Sequence, residues 1–323
     1  MRIRTLGVAA LLAWLVGHAA PVSAQAALSL RHQDVHSTWT ERATSAAGIF
    51  AFMGLAWLMS SDRRRIPFRV IAWGLALQVL FGVFALKTGA GLALFSSLND
   101  GVVALLNFTD TGTSFLFGAY ASDIWVGAAQ GEAGTFLARA PVALKILPTI
   151  VFFSAVMAVL YHLGVMQRVV LGISWVMERT MRTSGSETLS TAANIFVGQT
   201  EAPLVVRPYI DKMTQSELMA IMVGGFATVA GGVLAAYVGM LLPFFPDIAG
   251  HLIAASFMSA PATLVVSKLM QPETETSETA GGAQLSMERV DANVIEAAAR
   301  GASEGLMLAL NVGAMLLAFI ALV

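Results

Sequence analysis

The sequence predicts an all-α integral membrane protein: a multi-span helical bundle with a re-entrant helical hairpin and interfacial helices. Three observations predict it. Of 323 residues 57% are hydrophobic and only 12% charged, where a soluble domain carries about 25%, and the mean hydropathy is +0.73. Uncharged runs long enough to cross a bilayer recur along the chain. One further apolar run is cut by a polar triplet between a glycine and a proline. A net charge of −1 excludes a nucleic-acid partner bound by bulk electrostatics, and the absence of cysteine excludes disulfides and thiolate metal sites.

Residues 1–26 read as a signal peptide. Arg2 and Arg4 form a basic start, residues 6–20 an apolar stretch, and Ser23-Ala24-Gln25-Ala26 a small-residue cleavage region. Left uncleaved, the same run would be a first membrane helix, although it is short for one. Residues 27–42 form a polar periplasmic lead-in. His32 and His36 within it have a spacing that suits a metal, but a solvated segment explains them more simply.

Residues 43–140 hold the first two transmembrane helices plus an interfacial or periplasmic segment. The spans are 43–60 and 70–86, and Arg63, Arg64, Arg65 and Arg69 between them place that loop in the cytoplasm. Residues 91–106 suit a helix lying at the interface, and the Gly-rich stretch 110–139 offers no span. Residues 141–183 hold the third transmembrane helix, 142–161, and a cytoplasmic interfacial helix carrying Arg168, Arg179 and Arg182. After the hairpin region, 184–213, residues 214–270 hold two transmembrane helices, 218–242 and 248–266. Residues 271–300 form a flexible Pro/Glu/Thr/Ser/Gly-rich cytoplasmic loop and an interfacial helix with Glu296 and Arg300 one turn apart. The last transmembrane helix occupies 301–323. Twelve of the 19 Lys/Arg fall in the segments read as cytoplasmic and four, at 31, 42, 87 and 139, in those read as external, which supports the orientation.

The chemistry lies in residues 189–206, a largely apolar run interrupted by Asn194 and by the triplet Gln199-Thr200-Glu201. A single spanning helix would hold Glu201 near the bilayer centre at about 2.5–3.5 kcal/mol. Gly198 and Pro203 instead divide the run into two pieces too short to span, and both flanks are basic, with Arg179 and Arg182 before and Arg207 and Lys212 after. A re-entrant hairpin with its polar tip at mid-membrane satisfies these facts; a kinked structural helix is the alternative. Ser184-Gly185-Ser186-Glu187 is a capping box that starts the first half, and Pro203 suits the first turn of the second. Broken half-helices of this kind build substrate and ion sites in secondary transporters.

The run Asn194-Ile195-Phe196-Val197-Gly198-Gln199-Thr200-Glu201-Ala202-Pro203-Leu204, followed by Arg207-Pro208-Tyr209, resembles the first hairpin of the concentrative nucleoside transporter family. Residues 224–231, Gly-Gly-Phe-Ala-Thr-Val-Ala-Gly, resemble its next helix, and Asn293 to Ala298 resembles a later block. The resemblance implies a sodium-coupled nucleoside symporter, or a proton-coupled one, in a bacterial inner membrane and assembled as a homotrimer. It implies that Gln199, Thr200 and Glu201 meet the nucleobase side of the substrate and that Val233 lines the base pocket. It also implies that the Asn194 side chain, the Val197 carbonyl, the Thr228 hydroxyl and the Val229 carbonyl hold Na⁺. Neutral oxygens suit such an ion, although Thr228 could instead bond back to its own helix. Gly224, Gly225, Gly231, Gly232 and Gly239 would permit close helix approach.

Two departures stand out. Position 232 is Gly, where many relatives have Ser or Thr beside the base pocket. The family also continues into a second hairpin and a ribose-binding helix, so the chain is expected to stop short of them, as a truncated or non-transporting remnant would. An enzyme is not expected, because Glu201 has no second intramembrane carboxylate or histidine to work with; Asn311 is the other strongly polar deep residue.

Overall fold

The computed structural model describes residues 39–121, 125–128, 135–138, 142–199, 202–242, 244–280 and 291–323. The signal peptide, His32 and His36 lie outside the described residues. The first helix, α1 (Trp39–Leu58), forms a unit by itself with the residues before it; residues 59–323 form the second unit.

In that second unit α2 (Phe68–Lys87) follows Pro67, which disfavours helix before it. It turns at Thr88 into α3 (Gly89–Phe117), whose N-terminus the Thr88 hydroxyl caps by accepting the Gly91 N–H at 3.0 Å. A Cβ at Gly91 would sit 1.8 Å from the Phe84 carbonyl oxygen, so only glycine permits this turn. Helix α3 differs from the expectation of a short interfacial helix without a span. It is one helix of 29 residues, long and apolar enough to cross. Its polar residues explain why hydropathy hid it: Asn99, Thr109 and Thr113 lie buried on the same stripe as Val102 and Leu106, and Asn99 Oδ1 accepts the Gly250 N–H.

The Gly-rich stretch contains one short antiparallel hairpin, β1 (Trp125–Ala128) with β2 (Thr135–Ala138), in which Trp125 stands opposite Ala138. Among the described residues this is the one departure from an all-helical chain. The short α4 (Val142–Lys145) leads into α5 (Leu147–His162), and α6 (Val165–Met181) buries a stripe of Met166, Val170, Ser174, Met177 and Met181. Helix α7 (Gly185–Asn194) and an irregular 3₁₀ segment, Ala202–Lys212, come next.

The predicted span 218–242 is two helices, α8 (Gln215–Ala227) and α9 (Gly231–Leu241), separated by extended backbone at Thr228. Helix α10 (Ile248–Met270) is the centre of the unit and packs against α2, α3 and α8. The predicted interfacial helix and last span are one helix, α11 (Val294–Leu322). Among the described residues six helical segments, two of them the joined pairs α4–α5 and α8–α9, are long and apolar enough to cross a membrane.

Helix α11 packs on α5 through a stripe of small residues, Ala297, Gly301, Gly305 and Ala309. A Cβ at Gly301 would lie 2.7 Å from the Ser154 carbonyl oxygen, and one at Gly305 2.8 Å from the Val151 Cα. Such backbone approach is the usual packing device between membrane helices. The expected Glu296–Arg300 pair does not form. Arg300 forks onto Asp291 at 2.8 and 2.9 Å and reaches Glu304 at 2.8 Å. Glu296 turns back to accept the Ala292 N–H, because Asn293 caps the helix there.

Candidate functional site

The site is built on α7, and the local sequence dictates where that helix starts. Glu187 Oε1 accepts the Ser184 N–H at 2.7 Å, completing the capping box. Every residue of α7 is buried. The 3₁₀ segment folds back onto the helix, so that Leu189, Ala192, Ala193, Ala202, Val205 and Val206 share one apolar cluster.

Both ends of this pair meet the same short segment. The Gly185 N–H donates to the Thr279 carbonyl at 2.9 Å, and the Thr214 hydroxyl to Glu273 Oε2 at 2.9 Å. The chain therefore leaves and returns at one end of the molecule, as a helical hairpin. Residues 271–280, expected to be a flexible loop, are a bonded strap across its base; residues 281–290 lie outside the described residues.

Beneath the strap is a buried ionic cluster that the sequence reading missed. Lys268 Nζ lies 2.7 Å from Glu187 Oε2 and 2.8 Å from Ser216 Oγ, with both charged side chains almost fully buried. Glu217 accepts from Ser186 Oγ, Ser277 Oγ, Thr279 Oγ1 and the Thr214 N–H. One signal was legible: Thr214 and Glu217 form a second capping box. The Lys268–Glu187 pairing leaves no local trace, because its members are far apart in the chain.

The other end of α7 is different. The helix stops at Asn194, and residues 195–199 are irregular. The Phe196 carbonyl accepts the Gly231 N–H at 3.0 Å, which ties this stretch to the start of α9. Gly231 is required, since a Cβ there would lie 2.7 Å from the Phe196 oxygen. Gly224, in the last turn of α8, faces Asn194, with Nδ2 3.5 Å from where its Cβ would stand. The C-termini of α7 and α8 thus meet at one place, and each contributes the partial negative charge of its unpaired carbonyls.

Four of the eight predicted site residues lie on the two segments that the Phe196–Gly231 bond and the approach of Asn194 to Gly224 join. Asn194 is 3% exposed and its Oδ1 has no partner within the described residues. Val197 is buried in non-helical backbone. Thr228 and Val229 lie in the break between α8 and α9, where Thr228 has φ −121° and ψ 159°. The Thr228 hydroxyl donates to the Gly224 carbonyl at 3.2 Å, the helix-bonding alternative, and its lone pairs stay available. This donor set of amide, hydroxyl and backbone oxygens fits a hard monovalent cation, because it is neutral and close to two negative helix ends.

Of the remaining four, Gln199 and Val233 are described. Gln199 is exposed and its Cβ lies 3.0 Å from the Cβ position of Gly225. Val233 is half-buried on the first turn of α9. Thr200 and Glu201 lie outside the described residues. Gly232 faces α5, where a Cβ would lie 3.2 Å from Ile150 and 3.3 Å from Ser154 Oγ. Gly239, expected to allow close approach, has nothing within 4 Å.

Three family models match in succession: Na⁺ dependent nucleoside transporter N-terminus over residues 47–120, nucleoside recognition over 143–244, and Na⁺ dependent nucleoside transporter C-terminus over 251–323. The chain belongs to the concentrative nucleoside transporter family. It is 44% identical over 280 residues to an uncharacterized transporter of Haemophilus influenzae, covering 87% of this chain and 63% of that one. It is 43% identical over 283 residues to the sodium/nucleoside cotransporter 1 of Mus musculus, covering 87% of this chain and 40% of that one. A solved structure of CNTnw in an inward-facing substrate-bound state matches with a TM-score of 0.74 at 44% identity, covering 86% of this chain and 62% of that one. The chain therefore spans less than two thirds of the length of these family members. The nucleoside recognition match, 143–244, contains the whole hairpin and the α8–α9 break.

Proposed function

We propose that this chain carries the ion site and the nucleobase-facing part of a sodium-coupled nucleoside symporter. One observation carries the reading. Two helix C-termini and the α8–α9 break converge on a buried, unpartnered Asn194 amide oxygen, inside a chain 43% identical to a sodium/nucleoside cotransporter. In this reading Na⁺ is held by the Asn194 side chain, the Val197 and Val229 carbonyls and the Thr228 hydroxyl. Gln199, Thr200 and Glu201 bond the base edge and Val233 packs against its face. The hairpin is re-entrant, with its base and strap on the cytoplasmic side of a bacterial inner membrane, and the working unit is a homotrimer.

The ion orders the irregular residues on both sides of it, and the substrate contacts follow directly after Val197. Ion and nucleoside binding are therefore linked, each strengthening the other by the same coupling free energy. The test is uptake of radiolabelled uridine and adenosine into vesicles. Accumulation with an imposed Na⁺ gradient and its loss without one are expected. Uptake driven by a pH gradient alone, with no response to Na⁺, would overturn the sodium assignment. Uptake insensitive to any gradient would overturn active transport. Glu201→Gln, which keeps size and removes charge, is expected to weaken nucleoside affinity roughly ten- to a hundredfold.

A further inference from the structure

Thr191 lies one turn before Asn194 on α7 and is 1% exposed, yet its Oγ1 has no hydrogen-bond partner within the described residues. Thr183 Oγ1, outside a helix, is also buried without one, but among the helical threonines of the described residues Thr191 stands apart. Thr109, Thr149, Thr180, Thr188 and Thr263 all sit within helices and all donate to a carbonyl three or four residues earlier. A buried hydroxyl without a partner costs stability that a valine of the same shape would avoid.

Where the hydroxyl lies suggests its use. Thr191 Oγ1 and Asn194 Nδ2 stand 3.9 and 3.5 Å from the Cβ position that Gly224 leaves unfilled, and the Thr263 methyl closes the third side at 3.6 Å. The Thr263 hydroxyl is engaged with Ser259 and does not compete. The result is a small gap at the C-terminal turn of α8, bordered by the Thr191 hydroxyl and the Asn194 amide nitrogen; the Thr191 Oγ1 and the Asn194 Oδ1 both lack a partner among the described residues. We propose that Thr191 is a further residue of the cation site, its hydroxyl supplying an oxygen to the ion's shell beside Asn194. This rests on the sodium reading above and adds a ligand that the family resemblance does not assign.

The test is thermal unfolding of the purified protein in detergent, titrated with NaCl against choline chloride. It compares the natural protein with Thr191→Val, Thr191→Ser, Gly224→Ala and Asn194→Ala. An ion bound by the native state alone stabilises it by RT ln(1 + c/Kd) at Na⁺ concentration c, so the dependence of the unfolding temperature on NaCl yields the half-saturating concentration. Thr191→Val is expected to raise the half-saturating Na⁺ concentration roughly three- to tenfold, the worth of one neutral hydrogen-bonding oxygen. In choline the same variant unfolds at or above the natural temperature, because it carries no unpartnered hydroxyl. Thr191→Ser restores the natural Na⁺ response. Gly224→Ala fills the gap at ordinary contact distances, so it folds, and it weakens Na⁺ binding even if Thr191→Val fails to fold. A natural Na⁺ titration in both Thr191→Val and Gly224→Ala, with Asn194→Ala shifted, would overturn the role of Thr191 and leave the sodium reading standing. No shift in Asn194→Ala would overturn both.

Discussion

The two ends of α7 bury polar groups in opposite ways. At its N-terminus Ser186, Glu187 and Thr188 are buried and bonded to the backbone, to Lys268, to Glu217 or to the strap. At its C-terminus Thr191 and Asn194 are as deeply buried, and an oxygen on each is unpartnered. The polar content is similar, and the difference lies in who supplies the partners. A polar cluster closed by the protein's own groups holds the hairpin base to α8 and α10. In the proposed reading the open cluster is completed by Na⁺, and its stability depends on whether the ion is bound.

The largest effect is expected from opening the closed end. Lys268→Met leaves the Glu187 carboxylate buried without its cation. Breaking such a pair costs about 3–5 kcal/mol, read as a drop in denaturant or thermal midpoint. Adding Glu187→Gln should recover part of the loss, since the two side chains are coupled. Additive losses would mean that the pair does not act as a unit.

At the open end the loss should appear in affinity rather than in fold. Asn194→Ala removes a charge-facing oxygen and is expected to raise the half-maximal Na⁺ concentration roughly ten- to a hundredfold. Its midpoint in sodium-free buffer should stay near the natural one, because the Asn194 Oδ1 has no partner among the described residues to lose. A large loss of stability without sodium would erase the distinction between the two ends.

A milder variant grades the closed end. Ser277→Ala removes one donor from Glu217, which keeps Ser186, Thr279 and the Thr214 N–H. About 1–1.5 kcal/mol is expected. Protease nicking of residues 271–280 should rise in parallel, since Ser277 is one of the strap's attachments.

The smallest effect is a pH response away from both ends. The Arg300 guanidinium beside Asp291 holds that carboxyl below its ordinary value. A lowered native pKa contributes stability above the unfolded-state value and loses it as pH falls through the native one. Protection factors of the amides at the start of α11, 294–297, corrected for the intrinsic rate, should fall as pH drops below the ordinary aspartate range. Arg300→Gln should abolish that dependence.

Composition and local pattern determined a good part of this protein. Uncharged runs are legible as spans because length and hydropathy are summed along the chain. The Ser184–Glu187 capping box is legible because its partners are three residues apart. Gly198 and Pro203 announce a break through their own backbone chemistry. The Asn194-to-Leu204 run carries the family by the identity and order of its residues. What depends on distant partners was decided by the tertiary structure alone. Helix α3 is a span because Asn99, Thr109 and Thr113 turn inward, which average hydropathy cannot register. The 218–242 run breaks at Thr228, and just after the break the Gly231 N–H bonds the Phe196 carbonyl, far earlier in the chain. Residues 271–280 read as flexible by composition, yet Ser277 and Thr279 find Glu217 and Ser186 far earlier in the chain. Thr191 looks like any helical threonine until the fold leaves its hydroxyl facing the gap at Gly224. Covalent neighbours fix propensity and pattern; only packing decides which buried polar atoms find a partner and which are left without one.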